Sequence, residues 1–181
     1  MSCLTAGISK KCKRKVSGGL STIHIADFQT VDSWTAGVDN AISAVTMVDP
    51  LTDFFYKFQY KVDSASFTET FAKAEGSGIN TVEIVMSITA LSQADINVLN
   101  DLKDCGCGLS IIVMEKVKDE LGVAEGKVFG ELETEEVFLT GVVNTSGAAV
   151  GDANEAVVTF TATMSDIAPK WTGGVAGIPV A

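Results

Sequence analysis

Apolar and polar side chains alternate with a period of two through most of this chain, the spacing of half-buried β-strands. The pattern is clearest from Ala156 to Met164. Ala156, Val158, Phe160, Ala162 and Met164 share one face, and Val157, Thr159, Thr161 and Thr163 the other. Val82, Ile84, Met86 and Ile88 alternate with Thr81, Glu83, Ser87 and Thr89 in the same way, broken only at Val85. Leu20–Phe28, Ala41–Val48, Asp53–Lys61, Ser64–Phe71, Lys127–Glu131 and Thr134–Asn144 are further strand candidates. Leu109–Met114 is apolar throughout, as expected of a strand covered on both faces. Val31–Val38 and the charged stretch Glu115–Glu125 show no such period. The first reads as irregular, the second as a loop or short helix.

One segment changes period. Ser92 is a good N-cap, and Asp95 three residues on meets the free N–H groups of a first turn. Ile96, Leu99 and Leu102 make a narrow apolar stripe, and Gly106 is placed to end the helix. The pattern predicts one principal helix near Gln93–Asp104. Consecutive strands with one inserted helix predict a mainly β fold: an antiparallel β-sandwich or barrel with one flanking α-helix.

Ser64–Ala90 reads as a long protruding hairpin, with Glu75, Gly76, Ser77 and Gly78 at its tip and Phe67 and Phe71 on one face. In a monomer such a hairpin is an exposed-edge liability; in an assembly it is a docking arm. Residues 1–19 form a basic N-terminal arm, 20–166 the β domain, and 167–181 an apolar, Gly-rich tail that packs on its own or a neighbouring sheet.

Charge alters this picture. The net charge is −10, yet Lys10, Lys11, Lys13, Arg14 and Lys15 hold five of the thirteen basic residues. The remainder has eight basic against twenty-three acidic residues, a balance of −15. Such a surface repels nucleic acid and suits one past which DNA slides without sticking. No apolar run approaches the roughly 20 residues of a membrane helix. The basic cluster leads into Ser17-Gly18-Gly19 rather than an apolar core of a signal peptide, so synthesis in the cytoplasm is expected.

Candidate chemistry is sparse. Nucleotide-binding, phosphate-loop, zincin and nucleophile-elbow motifs are absent from the sequence. His24, the single histidine, sits mid-strand with no paired acid motif, which argues against a Ser-His-Asp triad. Cys105-Gly106-Cys107 is too tight for ordinary disulfide geometry, and its spacing to Cys3 and Cys12 fits no zinc ribbon. Glu131, Glu133, Glu135 and Glu136 cluster, as do Asp49 and Asp53, a common state of acidic surfaces. The aromatic stripe Phe54, Tyr56, Phe58 and Tyr60 reads as sheet packing, since base-stacking platforms want a basic surround. No catalysis, cofactor or metal is expected.

The stretch Gly151-Asp152-Ala153-Asn154-Glu155-Ala156-Val157-Val158-Thr159-Phe160-Thr161-Ala162 resembles the turn and strand near the end of phage tail tube proteins. Cys12–Gly19 followed by a strand with Ile23 and Ile25 is similar to virion structural proteins of phages that infect Bacteroidota. The resemblance implies a structural virion subunit, located in the tail. Rings, hexameric in this family, would stack into a tube with an acidic lumen for DNA passage. The partners would be other copies and other virion proteins, with DNA passing without specific binding and no membrane. The hairpin residues Phe67, Phe71, Glu75, Gly76, Ser77 and Gly78 would join subunits, and the basic arm Lys10–Lys15 would join rings. A capsid decoration or head–tail connector protein is the alternative in the same setting. A carbohydrate-binding β-sandwich is the alternative outside it.

Overall fold

The computed structural model describes residues 19–74, 77–89, 91–104, 108–118, 124–132, 134–145 and 155–180. In chain order the elements are β1 (Leu20–Asp27), β2 (Val31–Ala36), β3 (Ile42–Met47), β4 (Tyr56–Phe58), β5 (Ser66–Ala74) and β6 (Ser77–Thr89). Helix α1 (Gln93–Asp104) follows, then β7 (Leu109–Lys118), β8 (Ala124–Phe129), β9 (Phe138–Thr145), β10 (Glu155–Met164) and β11 (Lys170–Trp171). The strands form a seven-stranded sheet, β2-β3-β11-β8-β7-β1-β4, and a four-stranded sheet, β5-β6-β10-β9. The fold is mainly β, a two-sheet sandwich with one helix among the described residues, and it is not closed into a barrel.

The period-two segments explain the main core. Val82, Ile84 and Met86 of β6 and Val158 and Phe160 of β10 point from the four-stranded sheet toward the other. They meet Ile23 and Ile25 of β1, Ile111 and Val113 of β7 and Phe129 of β8. Each side chain of this size stabilises the fold by about 1.5–3 kcal/mol when fully buried. The continuous apolar run of β7 has a second destination. Ile112 and Met114 point the other way, into a core with Phe55, Met47, Trp171 and Ile178. All four residues from Ile111 to Met114 are fully buried, which is why this strand shows no alternation.

The C-terminal tail covers that second face. Trp171 is opposite Ile42 of β3 in the one parallel strand pair, and the Trp171 indole N–H donates to the Gly174 carbonyl at 2.8 Å. The chain then reaches Phe55, whose amide donates to the Pro179 carbonyl at 2.8 Å beside a parallel bridge to Val180. Gly173 permits this close approach: a Cβ there would stand 2.5 Å from the Ser43 carbonyl oxygen. The returning tail makes the larger sheet mixed where a wholly antiparallel plan was expected.

Helix α1 matches its predicted span. The Ser92 amide donates to the Asp95 carboxylate at 2.7 Å, and the Asp95 amide to the Ser92 hydroxyl at 3.2 Å, a reciprocal cap. The Ser92 hydroxyl, then its backbone N–H, hold the Asp95 carboxyl below the usual carboxylate range. Leu99 is buried, and Ile96 and Leu102 half-buried.

Three local expectations are corrected. Val31–Val38 is not irregular; it contains β2, and register shifts at both ends of its pairing with β3 break the alternation that would have marked it. Asp53–Lys61 is not one long strand. Only Tyr56–Phe58 pairs with β1, because the chain then crosses to the other sheet, where the Lys61 amide donates to the Ser87 carbonyl at 2.8 Å. Glu115–Glu125 is neither loop nor helix where it is described: β7 runs on to Lys118, and β8 begins at Ala124.

Candidate functional site

The four-stranded sheet has one face in the core and the other uncovered by any described residue. The register places Thr68, Glu83 and Thr161 side by side across β5, β6 and β10, with Thr70, Thr81 and Thr163 in the next row. These six residues are exposed or half-exposed. Val85, Ser87, Val157 and Thr159 continue the same face. The strands contribute no lysine or arginine to it among the described residues. Its carboxylates are Glu83 and Glu155, and Lys61, from the segment after β4, reaches Glu155 at 3.1 Å.

Both edges of this sheet end without a partner strand among the described residues. β5 offers nine residues and β9 eight. Helix α1 packs beside β9 but leaves Val142 at 43% and Val143 at 62% exposure. Unpaired backbone N–H and C=O groups along edges of this length are a template for pairing with another chain.

The hairpin is formed by β5 and β6, in register from Ser66–Val85 to Ala74–Ser77. Its body belongs to the sheet, since β10 pairs with β6 from Asn80 to Thr89. Only the residues beyond Asn80 protrude. Phe71 is 57% exposed there, and its ring lies on Gly78, where a Cβ would stand 2.4 Å from the ring. Phe67, on the same face but further from the tip, lies over the chain's own core: its ring is 5.5 Å from that of Phe129, with the Lys127 ammonium 5.4 Å from its centroid. Phe67 is thus part of the subunit core, and Phe71 is the aromatic the hairpin presents. Ser77 pairs with Ala74; Glu75, Gly76 and the basic residues Lys10, Lys11, Lys13, Arg14 and Lys15 lie outside the described residues, as do all four cysteines.

A polar network at the hairpin's base had no counterpart in the sequence reading. Glu69, on the inward face between Phe67 and Phe71, pairs with Lys127 of β8. It also accepts from the Ala168 amide at 2.9 Å and from the Asn80 side-chain amide at 3.3 Å. The same Asn80 amide donates to the Asp166 carbonyl at 3.0 Å. One carboxylate therefore ties the hairpin, the larger sheet and the start of the tail together.

The acidic clusters serve local structure. Buried Glu135 accepts from the Ser165 amide at 2.8 Å and hydroxyl at 2.6 Å. Burial, and then the Glu135 charge, raise the carboxyl of Glu131 above the usual range. Asp53 accepts from the Asp49 amide at 2.9 Å, and Asp49 from that of Leu51, closing a turn. Among the described residues no three His, Cys, Asp or Glu converge as metal ligands. His24 is buried between Ile112 and Lys57 on neighbouring strands. Burial, and then Lys57, lower its pKa.

No family model, curated protein or solved structure matches the chain, so a functional reading rests on this geometry and on the sequence.

Proposed function

We propose that the protein is a structural subunit of a phage tail tube, assembling with copies of itself into rings that stack around a passage for DNA. The observation that carries the reading is the four-stranded sheet, which among the described residues is uncovered on one face and unpaired along both edges. The β5 edge of one copy and the β9 edge of the next would extend the sheet from subunit to subunit. Such a head-to-tail contact closes into a ring when its rotation permits. The uncovered face, with hydroxyls, Glu83 and no strand-borne base, would line the passage, where the nearby Lys61 is already paired with Glu155 and little attracts a phosphate. The acidic surplus repeats around the ring and is tolerated where it faces a wide, wet lumen, because charges further apart than about 8 Å are screened. The basic arm Lys10–Lys15 offsets part of that charge by docking on the adjacent ring. The same reading assigns the protein no catalysis, cofactor or membrane partner.

Negative-stain electron microscopy of the purified chain, over a range of salt, tests this. Rings and stacked tubes are the expected result. Rings that never stack would favour a connector, and a monodisperse monomer a binding module.

A further inference from the structure

Five consecutive residues, Tyr56 to Tyr60, line a cleft of about 540 Å³. Tyr56–Phe58 is β4 and Gln59–Tyr60 begins the crossing to the other sheet, so the cleft runs beside the end of β4 and the segment that leaves it. β4 is the terminal strand of the seven-stranded sheet, and its outer edge has no partner strand among the described residues only between the Phe55–Pro179 backbone bond before it and the Lys61–Ser87 bond after it. The opposite wall is α1, through Val98, which is 48% exposed, and Leu99, with Ile88 at one side. A short free sheet edge facing a helix across a cleft of mixed polar and apolar lining is a geometry in which an extended segment adds as one more strand.

We infer that this cleft receives Leu4–Ser9 of a second copy, an inference that rests on the self-assembly proposed above. Leu4, Ala6 and Ile8 alternate with Thr5, Gly7 and Ser9, an uncharged period-two segment of small and aliphatic residues suited to a narrow groove. The described chain begins at Gly19, whose carbonyl accepts from the Lys116 amide while the next residue, Leu20, donates to Ala65. Ten steps separate Ser9 from Gly19, a reach of about 35 Å when extended. A seven-stranded sheet is only about 29 Å wide at the usual strand spacing. The connecting residues include Lys10, Lys11, Lys13, Arg14 and Lys15, and a linker of like charges repels itself and extends. Extension favours a neighbour's cleft over the chain's own, since β4 is the strand next to β1. The −15 balance of the remaining chain attracts that basic linker to the receiving surface; in the cleft wall itself Asp95 is offset by Lys57.

The test uses the full chain with a photo-cross-linking phenylalanine analogue at Val98, an exposed helix position. Isotopically heavy and light copies are mixed, irradiated and analysed by peptide mass spectrometry. Cross-links from position 98 to residues 4–9 in heavy–light pairs are expected, and Ile8→Asp lowers their yield about tenfold by placing a carboxylate against the aliphatic side of the cleft, Val98, Leu99 and Ile88, near Asp95. Links confined to one copy, links to other segments alone, or no links overturn the inference. Sedimentation of the same sample reads assembly separately. A monomer that still cross-links at position 98 to added peptide Met1–Lys10 keeps the segment–cleft pairing and overturns the self-assembly.

Discussion

The two sheets differ in what covers their far faces. On the seven-stranded sheet, the tail brings Trp171 and Ile178 over Ile112 and Met114. On the four-stranded sheet nothing among the described residues does the same for Thr81, Glu83 and Thr161. The difference begins in the side chains. β7 is apolar on both faces and must be enclosed on both, whereas β6 and β10 carry hydroxyls and a carboxylate on one face that water satisfies. The edges differ as well: β5 and β9, of nine and eight residues, end their sheet with no partner strand among the described residues, whereas β4 at the edge of the larger sheet has only three. Among the described residues one sheet is covered by the chain's own tail, and the other has an uncovered face and two unpaired edges.

The largest effect should come from uncovering the larger sheet. Trp171→Ala removes the main side chain of the tail and should cost about 3–5 kcal/mol in urea unfolding. A loss under about 1 kcal/mol would mean the tail is a loose cover and the contrast between the sheets is overstated. Glu69→Gln should cost about 1.5–3 kcal/mol by weakening its charged bonds to Lys127 and the Ala168 amide. Limited proteolysis near Asp166 should increase in parallel; unchanged cleavage would separate the carboxylate from the tail.

A pH titration sharpens the comparison from inside the larger sheet. His24 is held neutral when folded, because burial and then Lys57 lower its pKa. The unfolded chain takes up a proton as pH falls through about 6.5, so this stabilisation is present above that pH and is lost as pH falls toward the folded pKa. Thermal melting should therefore decline below pH 6.5, and His24→Leu should remove that part of the slope. An identical slope in both proteins would assign it to other groups. The smallest effect belongs to the open face: Thr161→Ala should change stability by less than about 0.5 kcal/mol. A larger loss would show that the face is already packed in the isolated chain.

The regular parts of this fold were legible in the sequence. β6, β10 and α1 follow from alternation and from the Ser92–Asp95 cap, and the double burial of β7 follows from its unbroken apolar run. β2 was hidden because bulges shift its side chains out of phase. β4 was overread because alternation continues through Gln59–Lys61 while the backbone leaves for the other sheet. At the candidate site, the hairpin and the acidic bias were visible in advance. The division of labour between Phe67 and Phe71 was not, since both share one face and only their distance from β8 and β10 separates core from overhang. Glu69 did leave a signal, a carboxylate on an apolar face between two phenylalanines. Lys127 and Ala168 lie far along the chain, and local pattern does not reveal them as its partners.

The central claim, that the β5 and β9 edges of the four-stranded sheet are completed by neighbouring copies, is tested most directly by hydrogen exchange on these strands as a function of protein concentration. In the dilute, dispersed chain the outward-pointing amides of Ser66–Ala74 and Phe138–Thr145, those not bonded to β6 or β10, should exchange quickly. In the assembled sample they should slow toward the rate of the central strand Glu155–Met164. Edge amides that exchange equally fast in both samples, while assemblies are visible in the concentrated one, would contradict it.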